Sequence, residues 1–253
     1  MDLGLKGKKA IITGATRGIG RRIADILAAE GCDIAICARK PEEVEEAVTA
    51  LKAHGTKVLG SVVNVKDAEP YKAWLVETAE KLGGCDIFIP NVSAGGGMDG
   101  EKNWYRNFEI DLMGAVRGCE ALMPALKESG HGSIVFIGTT AAVETFMAPM
   151  AYNALKAALI TYAKQLSQVT FRRNIRVNVV SPGPIIFEGG SWEQIKASQP
   201  QIYESTLAQQ PSGRMGEPEE VARCVVFLAS PAASWVTGTN LIVDGGMTKR
   251  VQF

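Results

Sequence analysis

Short apolar runs alternate along this chain with longer amphipathic segments. Residues 10–13 form an apolar run typical of a buried strand, and in residues 17–30 apolar side chains recur at helical spacing. Gly31 is placed to end that helix, and residues 33–37 form the next apolar run. This rhythm predicts repeated strand–helix units, which build a parallel sheet with helices on both faces.

The same alternation continues to the end of the chain. It predicts further strands at 57–63, 86–89, 133–137, 175–180 and 240–243, and helices at 41–53, 67–82, 102–128, 150–172 and 217–229. We therefore expect an α/β fold with a doubly wound parallel sheet of about seven strands, in a single domain over 1–253, because no segment has the composition of a linker. Residues 184–211 do not fit the rhythm, and we interpret them as a substrate-facing loop region.

Composition and charge exclude several classes of function. Lysine plus arginine and aspartate plus glutamate number 27 each, so the chain lacks the basic excess that collects nucleic acid. No run reaches the roughly 18 apolar residues of a membrane span, and the N-terminus lacks the apolar core of a signal peptide. Five cysteines without a CxxC pair suggest small buried residues in a reducing compartment, and the two histidines, His54 and His131, cannot build a histidine-based metal cluster. We expect a soluble, cytoplasmic protein without a bound metal.

A glycine-rich turn, GATRGIG at residues 14–20, lies directly between the first strand and the first helix. Glycines there allow a tight turn and let backbone N–H groups approach a diphosphate, whose charge the helix N-terminus favours. A tight turn that binds nothing is the alternative. In the ligand-binding interpretation, the site is lined by Gly14, Thr16, Arg17, Gly18, Ile19 and Gly20.

The end of the second strand bears on the choice of cofactor. An acidic residue there would accept a hydrogen bond from the ribose 2′-OH of NAD(H), but the sequence continues Arg39-Lys40. Arg39 and Arg17 could instead bind a 2′-phosphate, although both could also be solvated surface arginines. The pattern favours NADP(H) over NAD(H).

Tyr152 and Lys156 are four residues apart, which places a phenol and an ammonium on one face of a helix. A free phenol has a pKa of about 10, and a neighbouring cation lowers that pKa by favouring the phenolate. Thr139, at the end of the fifth predicted strand, offers a hydroxyl that could polarise a substrate oxygen. These residues predict proton transfer.

Together these motifs resemble the short-chain dehydrogenase/reductase family from about residue 5 to 248. The resemblance rests on the glycine turn, Asp86-Ile87 ahead of Asn91, the YxxxK pair, Arg176-Val177-Asn178 leading to Pro182-Gly183, and the ending with GEPEEVA at 216–222, Thr237-Gly238 and VDGG at 243–246. It implies a Rossmann-like fold and an oxidoreductase in which Tyr152 is the general acid/base and Lys156 lowers its pKa and binds the nicotinamide ribose.

Two positions of the implied catalytic set depart from the family pattern. Thr139 stands where the family usually has serine, and the hydroxyl is kept. Asp111 stands where the family usually has an asparagine that supports a water relay to the lysine. A carboxylate there could pair with Lys156 and offset its effect on Tyr152, so we expect the working pH to move upward.

The resemblance also implies further contacts with the cofactor. The implied residues are Asn64, Val65, Asn91, Pro182, Gly183 and Ile185, in addition to the glycine turn, Arg39, Tyr152 and Lys156. Asn64 replaces an aspartate that normally meets the adenine, and its amide oxygen can still accept. Phe187 replaces a threonine that usually contacts the nicotinamide carboxamide.

The expected substrate is an uncharged, hydrophobic or aromatic ketone or secondary alcohol. This expectation rests on the residues that the fold would bring to the pocket: Trp104, Phe146, Met147, Phe187, Trp192 and Tyr203, several of which could instead be core or interface residues. By resemblance we expect a homotetramer, or a homodimer, with helices 102–128 and 150–172 at the shared surface. The tail 249–253 could pack on a neighbour or be disordered.

Two other functions fit the same sequence. One is a dinucleotide-binding sensor or scaffold without turnover, which the altered Thr139 and Asp111 favour and the intact Tyr152 and Lys156 oppose. The other is a lyase, epimerase or hydrolase, because fold does not fix chemistry.

Overall fold

The computed structural model describes residues 2–97 and 100–251. Its strands form one parallel sheet in the order β3-β2-β1-β4-β5-β6-β7. The strands are β1 (Lys9–Thr13), β2 (Asp33–Ala38), β3 (Val58–Val62), β4 (Ile87–Pro90), β5 (Ser133–Ile137), β6 (Arg176–Pro182) and β7 (Asn240–Val243). The predicted Rossmann-like parallel sheet is confirmed.

Helices cover both faces of the sheet. They are α1 (Gly18–Ala29), α2 (Pro41–Lys52), α3 (Ala68–Leu82), α4 (Glu101–Asn107), α5 (Gly114–Glu128), α6 (Ala151–Thr170), α7 (Ser191–Ser198), α8 (Pro200–Leu207) and α9 (Pro218–Ala229). The buried faces of α1, α2 and α9 share one core, and those of α3, α5 and α6 share the other. None of the helices within the described residues is long and apolar enough to cross a membrane.

The first strand shows why these segments contain consecutive apolar residues. Ala10 and Ile12 point into the core under α1, whereas Ile11 points into the core under α3. Because successive side chains of a strand face opposite sides, a strand covered on both faces favours consecutive apolar residues over an alternating pattern. The strand order reverses between β1 and β4, and ligands of such sheets bind outside the carboxyl ends of the strands at this point.

Two predicted segments differ in the structure. The helix predicted over 102–128 is interrupted by a π-helical segment, Phe108–Met113, which joins α4 to α5. The prediction of a loop region over 184–211 is wrong, because this segment contains α7 and α8. These helices bury few side chains, with only Tyr203 and Thr206 of α8 buried, so they show no clear apolar repeat in the sequence.

The cysteines were expected to be small buried residues. Cys32, Cys37, Cys85 and Cys119 are buried and unpaired, and Cys224 is half-buried.

The tail contacts its own chain rather than extending freely. The Lys249 N–H donates to a Glu144 carboxylate oxygen at 3.3 Å, and Arg250 Nη1 donates to the Val143 carbonyl at 3.4 Å. The last two residues lie outside the described residues.

Arg176, at the start of β6, ties the sheet to the end of α9. Its buried guanidinium donates to the carbonyls of Leu228, Ala229 and Ser230 at 2.6, 3.1 and 2.9 Å, and to Val236 at 3.4 Å. The last carbonyls of a helix have no partner within the helix, and this side chain donates to three of them at the end of α9. Of these three, the Leu228 carbonyl also accepts from the Ser133 hydroxyl at 3.4 Å. The cation also lies at the negative end of the helix dipole.

We expect Arg176→Lys to lower the free energy of unfolding by about 2–3 kcal/mol. A lysine ammonium cannot reach all four carbonyls, so some of these buried acceptors would lose their hydrogen bond. Urea unfolding followed by circular dichroism measures the loss. Arg172→Lys, at an exposed position nearby, is the matched control and should change stability by less than about 0.5 kcal/mol. Equal losses in the two variants would contradict this role.

Candidate functional site

The glycine turn is held tightly against the end of β4. The side-chain amide of Asn91 donates to the carbonyls of Thr13 and Gly14 at 3.1 and 2.9 Å. A Cβ on Gly20 would collide with this amide and with the Gly14 carbonyl. Gly14 and Gly18 adopt φ values of 67° and 56°, which glycine tolerates without strain. The turn therefore forms a backbone cradle at the N-terminus of α1, which fits a dinucleotide diphosphate.

The two arginines expected at the adenosine ribose and Thr16 of the glycine turn have different environments. Arg17 and Arg39 are exposed, and Arg17 Nη1 donates to the Gly189 carbonyl at 3.1 Å. The Thr16 hydroxyl donates to a carboxylate oxygen of Glu43 at 3.1 Å. Glu43, in the first turn of α2, is a residue that no sequence motif singles out, and only its spacing from Arg39 could have indicated it.

The remaining implied cofactor residues lie at the carboxyl edge of the sheet. The Gly183 N–H donates to the Val243 carbonyl at 2.9 Å, directly after Pro182, and Ile185 is buried beside Gly216. Val65 is buried, and the Asn64 amide oxygen accepts from the Lys66 N–H at 3.2 Å. The Asn64 side chain thus stabilises the local turn after β3 through this hydrogen bond.

Phe187 packs on the glycine turn. A Cβ on Gly18 would lie 2.6 Å from the Phe187 Cζ atom, so this ring needs a glycine beneath it. Phe187 is half-buried and also contacts the core under α1. Phe187 therefore lies at the proposed cofactor cradle. We expected it to line the substrate pocket, but its main contacts are with the glycine turn and the core under α1.

Lys156 is at the centre of the cluster that we expect to transfer a proton. Its side chain is 3% exposed, and Nζ donates to the Ile137 carbonyl at the end of β5 at 2.9 Å. Asp111 Oδ1 lies 3.3 Å from the same nitrogen and is itself fully buried. The angle between these two groups does not satisfy hydrogen-bond geometry, so Asp111 Oδ1 contacts Lys156 as an ion pair without an aligned hydrogen bond. The carboxylate expected to pair with Lys156 is thus beside it.

The other oxygen of Asp111 accepts two hydrogen bonds. One comes from the Ala94 N–H at 3.1 Å and one from the Asn107 amide at 2.9 Å. Asn107 is buried and also donates to the Gly95 carbonyl at 3.0 Å. Two N–H donors and the Lys156 ammonium thus surround this one carboxylate. Asn107 belongs to no motif in the sequence, and its i, i+4 spacing from Asp111 is the one signal that could have indicated it.

Tyr152 is half-buried beside this ion pair. Burial raises the pKa of its phenol. The charge of Lys156 and a hydrogen bond with Thr139 lower this pKa, whereas the charge of Asp111 raises it. As a result, the pKa of Tyr152 is above its usual value. Lys156 Nζ lies 6.0 Å from the centre of the Tyr152 ring. The Thr139 hydroxyl also accepts from the Ala141 N–H at 3.2 Å, which fixes its position. The arrangement holds a protonated phenol at neutral pH.

The residues expected to line the substrate pocket are only partly brought together. Phe146 and Trp192 meet edge to face with ring centres 6.1 Å apart, joining the segment after β5 to α7. Tyr203 is buried under Lys196, whereas Trp104 and Met147 are exposed. Met147 has a φ of 59°, a strained value for a residue with a side chain.

Comparison with known proteins finds relatives that match almost the whole chain. The family model described as enoyl-(acyl carrier protein) reductase matches residues 14–248. Isoepoxydon dehydrogenase patN of Aspergillus clavatus is 38% identical, with 98% of each chain covered. Dehydrogenase/reductase SDR family member 4 of Oryctolagus cuniculus is 37% identical, with 98% of this chain and 96% of the relative covered.

A solved structure matches along the whole fold. The L-sorbose reductase of Gluconobacter frateurii, whose structure is described as complexed with NADPH and L-sorbose, superposes with a TM-score of 0.91 at 32% identity, covering 99% of this chain and 100% of that one. With matches of this extent over both sequence and fold, the chain belongs to the short-chain dehydrogenase/reductase family of oxidoreductases.

Proposed function

We propose that this chain transfers a hydride between NADP(H) and an uncharged ketone or secondary alcohol, with Tyr152 as the general acid/base. The observation that carries the proposal is the cluster of Tyr152, Thr139 and the buried Lys156 at the carboxyl end of β5. Asn91 is one strand away, after β4, and the glycine turn is two strands away, after β1. Proton-transfer groups and a diphosphate cradle share one edge of the sheet.

Tyr152 moves the proton. In reduction its phenol donates a proton to the carbonyl oxygen of the substrate, and in alcohol oxidation the phenolate takes this proton back. Thr139 donates a hydrogen bond to the same substrate oxygen and so orients it toward the phenol. When bound, the nicotinamide ring supplies or accepts the hydride.

Lys156 and Asp111 set the protonation of Tyr152. The buried ammonium favours the phenolate, and the carboxylate 3.3 Å from it offsets part of this effect. Because burial also favours the neutral phenol, the proton donor needed for reduction is present at neutral pH. The proposed site is thus suited to carbonyl reduction under neutral conditions, and to alcohol oxidation at alkaline pH.

NADP(H) is the proposed cofactor. Arg17 and Arg39 are exposed at the ribose end of the cradle, where a 2′-phosphate would need cations, and the matching L-sorbose reductase is described with NADPH. Lys156 would bind the nicotinamide ribose, and Pro182, Gly183 and Ile185 would line the nicotinamide end.

The proposed substrate is uncharged and largely apolar near its carbonyl. The contact between Phe146 and Trp192 supports an apolar wall next to the catalytic cluster. The structural relative from Gluconobacter frateurii is described as a complex with L-sorbose, an uncharged ketose, so polar hydroxyls on the substrate are compatible with this fold.

We also propose a cytoplasmic homotetramer, or a homodimer, that binds neither nucleic acid nor membrane. Unpaired buried cysteines support a reducing compartment. Exposed aromatic side chains on α4 and beside it, Trp104, Tyr105 and Phe108, support an interface on this side. Light scattering coupled to gel filtration measures the assembly.

Replacing Tyr152 by Phe removes the transferable proton. We expect Tyr152→Phe to lower kcat for NADPH-dependent ketone reduction by roughly 10²–10⁴-fold, while NADPH still binds, because the cradle is untouched. Turnover is measured by NADPH absorbance with a panel of ketones and alcohols. NADPH binding without oxidation by any member of the panel would favour a sensor, and product formation without net cofactor change would favour a lyase or epimerase.

Asp111 gives a prediction about pH. Because its charge raises the pKa of Tyr152, Asp111→Asn should lower that pKa and move the pH profile of kcat/KM for alcohol oxidation toward lower pH. The control is Glu109→Gln in the same π-helical segment, since Glu109 pairs with Arg117 instead. Coincident profiles for the Asp111→Asn and unmodified enzymes would show that the carboxylate does not tune the phenol.

A further inference from the structure

A carboxylate lies beside the glycine turn at the end where the adenosine ribose is expected. Glu43 is the third residue of α2, and its side chain is 31% exposed. One carboxylate oxygen accepts from the Thr16 hydroxyl at 3.1 Å, which connects the first turn of α2 to the cradle. The end of the cradle at which we propose that a 2′-phosphate binds therefore also carries a negative charge.

Lys40 holds this carboxylate from the other side. Its ammonium lies 2.7 Å from the second carboxylate oxygen of Glu43. The hydrogen bond from Lys40, followed by the bond from Thr16 and the charges of Lys40 and Arg17, keeps the pKa of Glu43 below its usual range despite partial burial. Glu43 is thus ionised at neutral pH, and part of its charge is neutralised by Lys40.

The two nicotinamide cofactors respond to such a charge in opposite ways. A phosphate on the 2′-position carries close to two negative charges and is repelled by a carboxylate. A 2′-OH instead donates a hydrogen bond to a carboxylate, which is how acidic residues in other dinucleotide sites favour NAD(H). In those sites the acid ends the second strand, whereas here that strand continues into Arg39 and the acid comes from α2.

We propose that Glu43 is a specificity-determining residue that weakens the preference of this chain for NADP(H) over NAD(H), and that its ion pair with Lys40 limits the effect. This inference rests on the proposed use of a nicotinamide cofactor at the cradle. A different role would be purely local, because an acidic residue in the first turn of a helix stabilises that helix through its dipole.

Glu42 allows the two roles to be separated. It precedes Glu43 in the same turn and carries the same charge, but it is more exposed. The test measures the dissociation constants of NADP⁺ and NAD⁺ by titration calorimetry for the unmodified enzyme, Glu43→Gln and Glu42→Gln, with no turnover required. We expect Glu43→Gln to raise the ratio Kd(NAD⁺)/Kd(NADP⁺) roughly tenfold, the effect of one partly screened charge beside a phosphate. Glu42→Gln should change it less than about twofold.

The outcomes distinguish this inference from the cofactor proposal. A ratio that stays constant in Glu43→Gln, or rises equally in Glu42→Gln, overturns the role of Glu43 even if the unmodified enzyme prefers NADP⁺. An unmodified enzyme that prefers NAD⁺ overturns the proposed cofactor, whereas a rise confined to Glu43→Gln would still support the specificity role. Circular dichroism checks folding, and if Glu43→Gln is unfolded, Glu43→Ala removes the same charge and must raise the ratio.

Discussion

The buried ammonium of Lys156 is the interaction on which the proposed catalytic centre depends. It contacts the last carbonyl of β5 and the carboxylate of Asp111, and it lies on α6 one turn from Tyr152. A buried charge is costly unless it is paired and hydrogen-bonded, so each of these elements must keep its place for the others to be stable. The same contacts that solve this desolvation problem also bring Tyr152, Thr139 and Asp111 into one cluster. The groups that stabilise the buried ammonium therefore also position the groups of the proposed proton transfer.

This dependence explains why the substitution at Asp111 is accommodated. An asparagine would need no compensating charge, whereas a carboxylate in this fully buried position is tolerated because Asn107, the Ala94 N–H and Lys156 surround it. Asn107 extends the network to the Gly95 carbonyl, so the loop after β4 is connected to the helix that carries Asp111. The ion pair leaves the phenol with less net positive charge nearby than a lone lysine would provide.

The sequence predicted the sheet well, because strands buried on both faces contain runs of consecutive apolar residues, such as 10–12 in β1 and 134–137 in β5, and such runs are easily recognised. It also indicated Tyr152 and Lys156, whose i, i+4 spacing places them on one face of a helix. Asp111 was indicated by the resemblance to the family pattern. The sequence did not reveal Asn107, Glu43 or the packing of Phe187 on Gly18, because each depends on where two distant backbones meet. The short helices α7 and α8 escaped detection since so few of their side chains are buried.

The π-helical segment between α4 and α5 has a geometric consequence. A turn closed by i→i+5 hydrogen bonds contains one residue more than an α-helical turn, so the side chains that follow are rotated by about 100° relative to those before it. Asp111 can therefore face Lys156, and Asn107 can face Asp111, while Cys119 and Leu122, farther along, still face the core under α3. Deleting a single residue from Phe108–Met113 would remove this change of phase, and either the carboxylate or the apolar stripe of α5 would then point the wrong way.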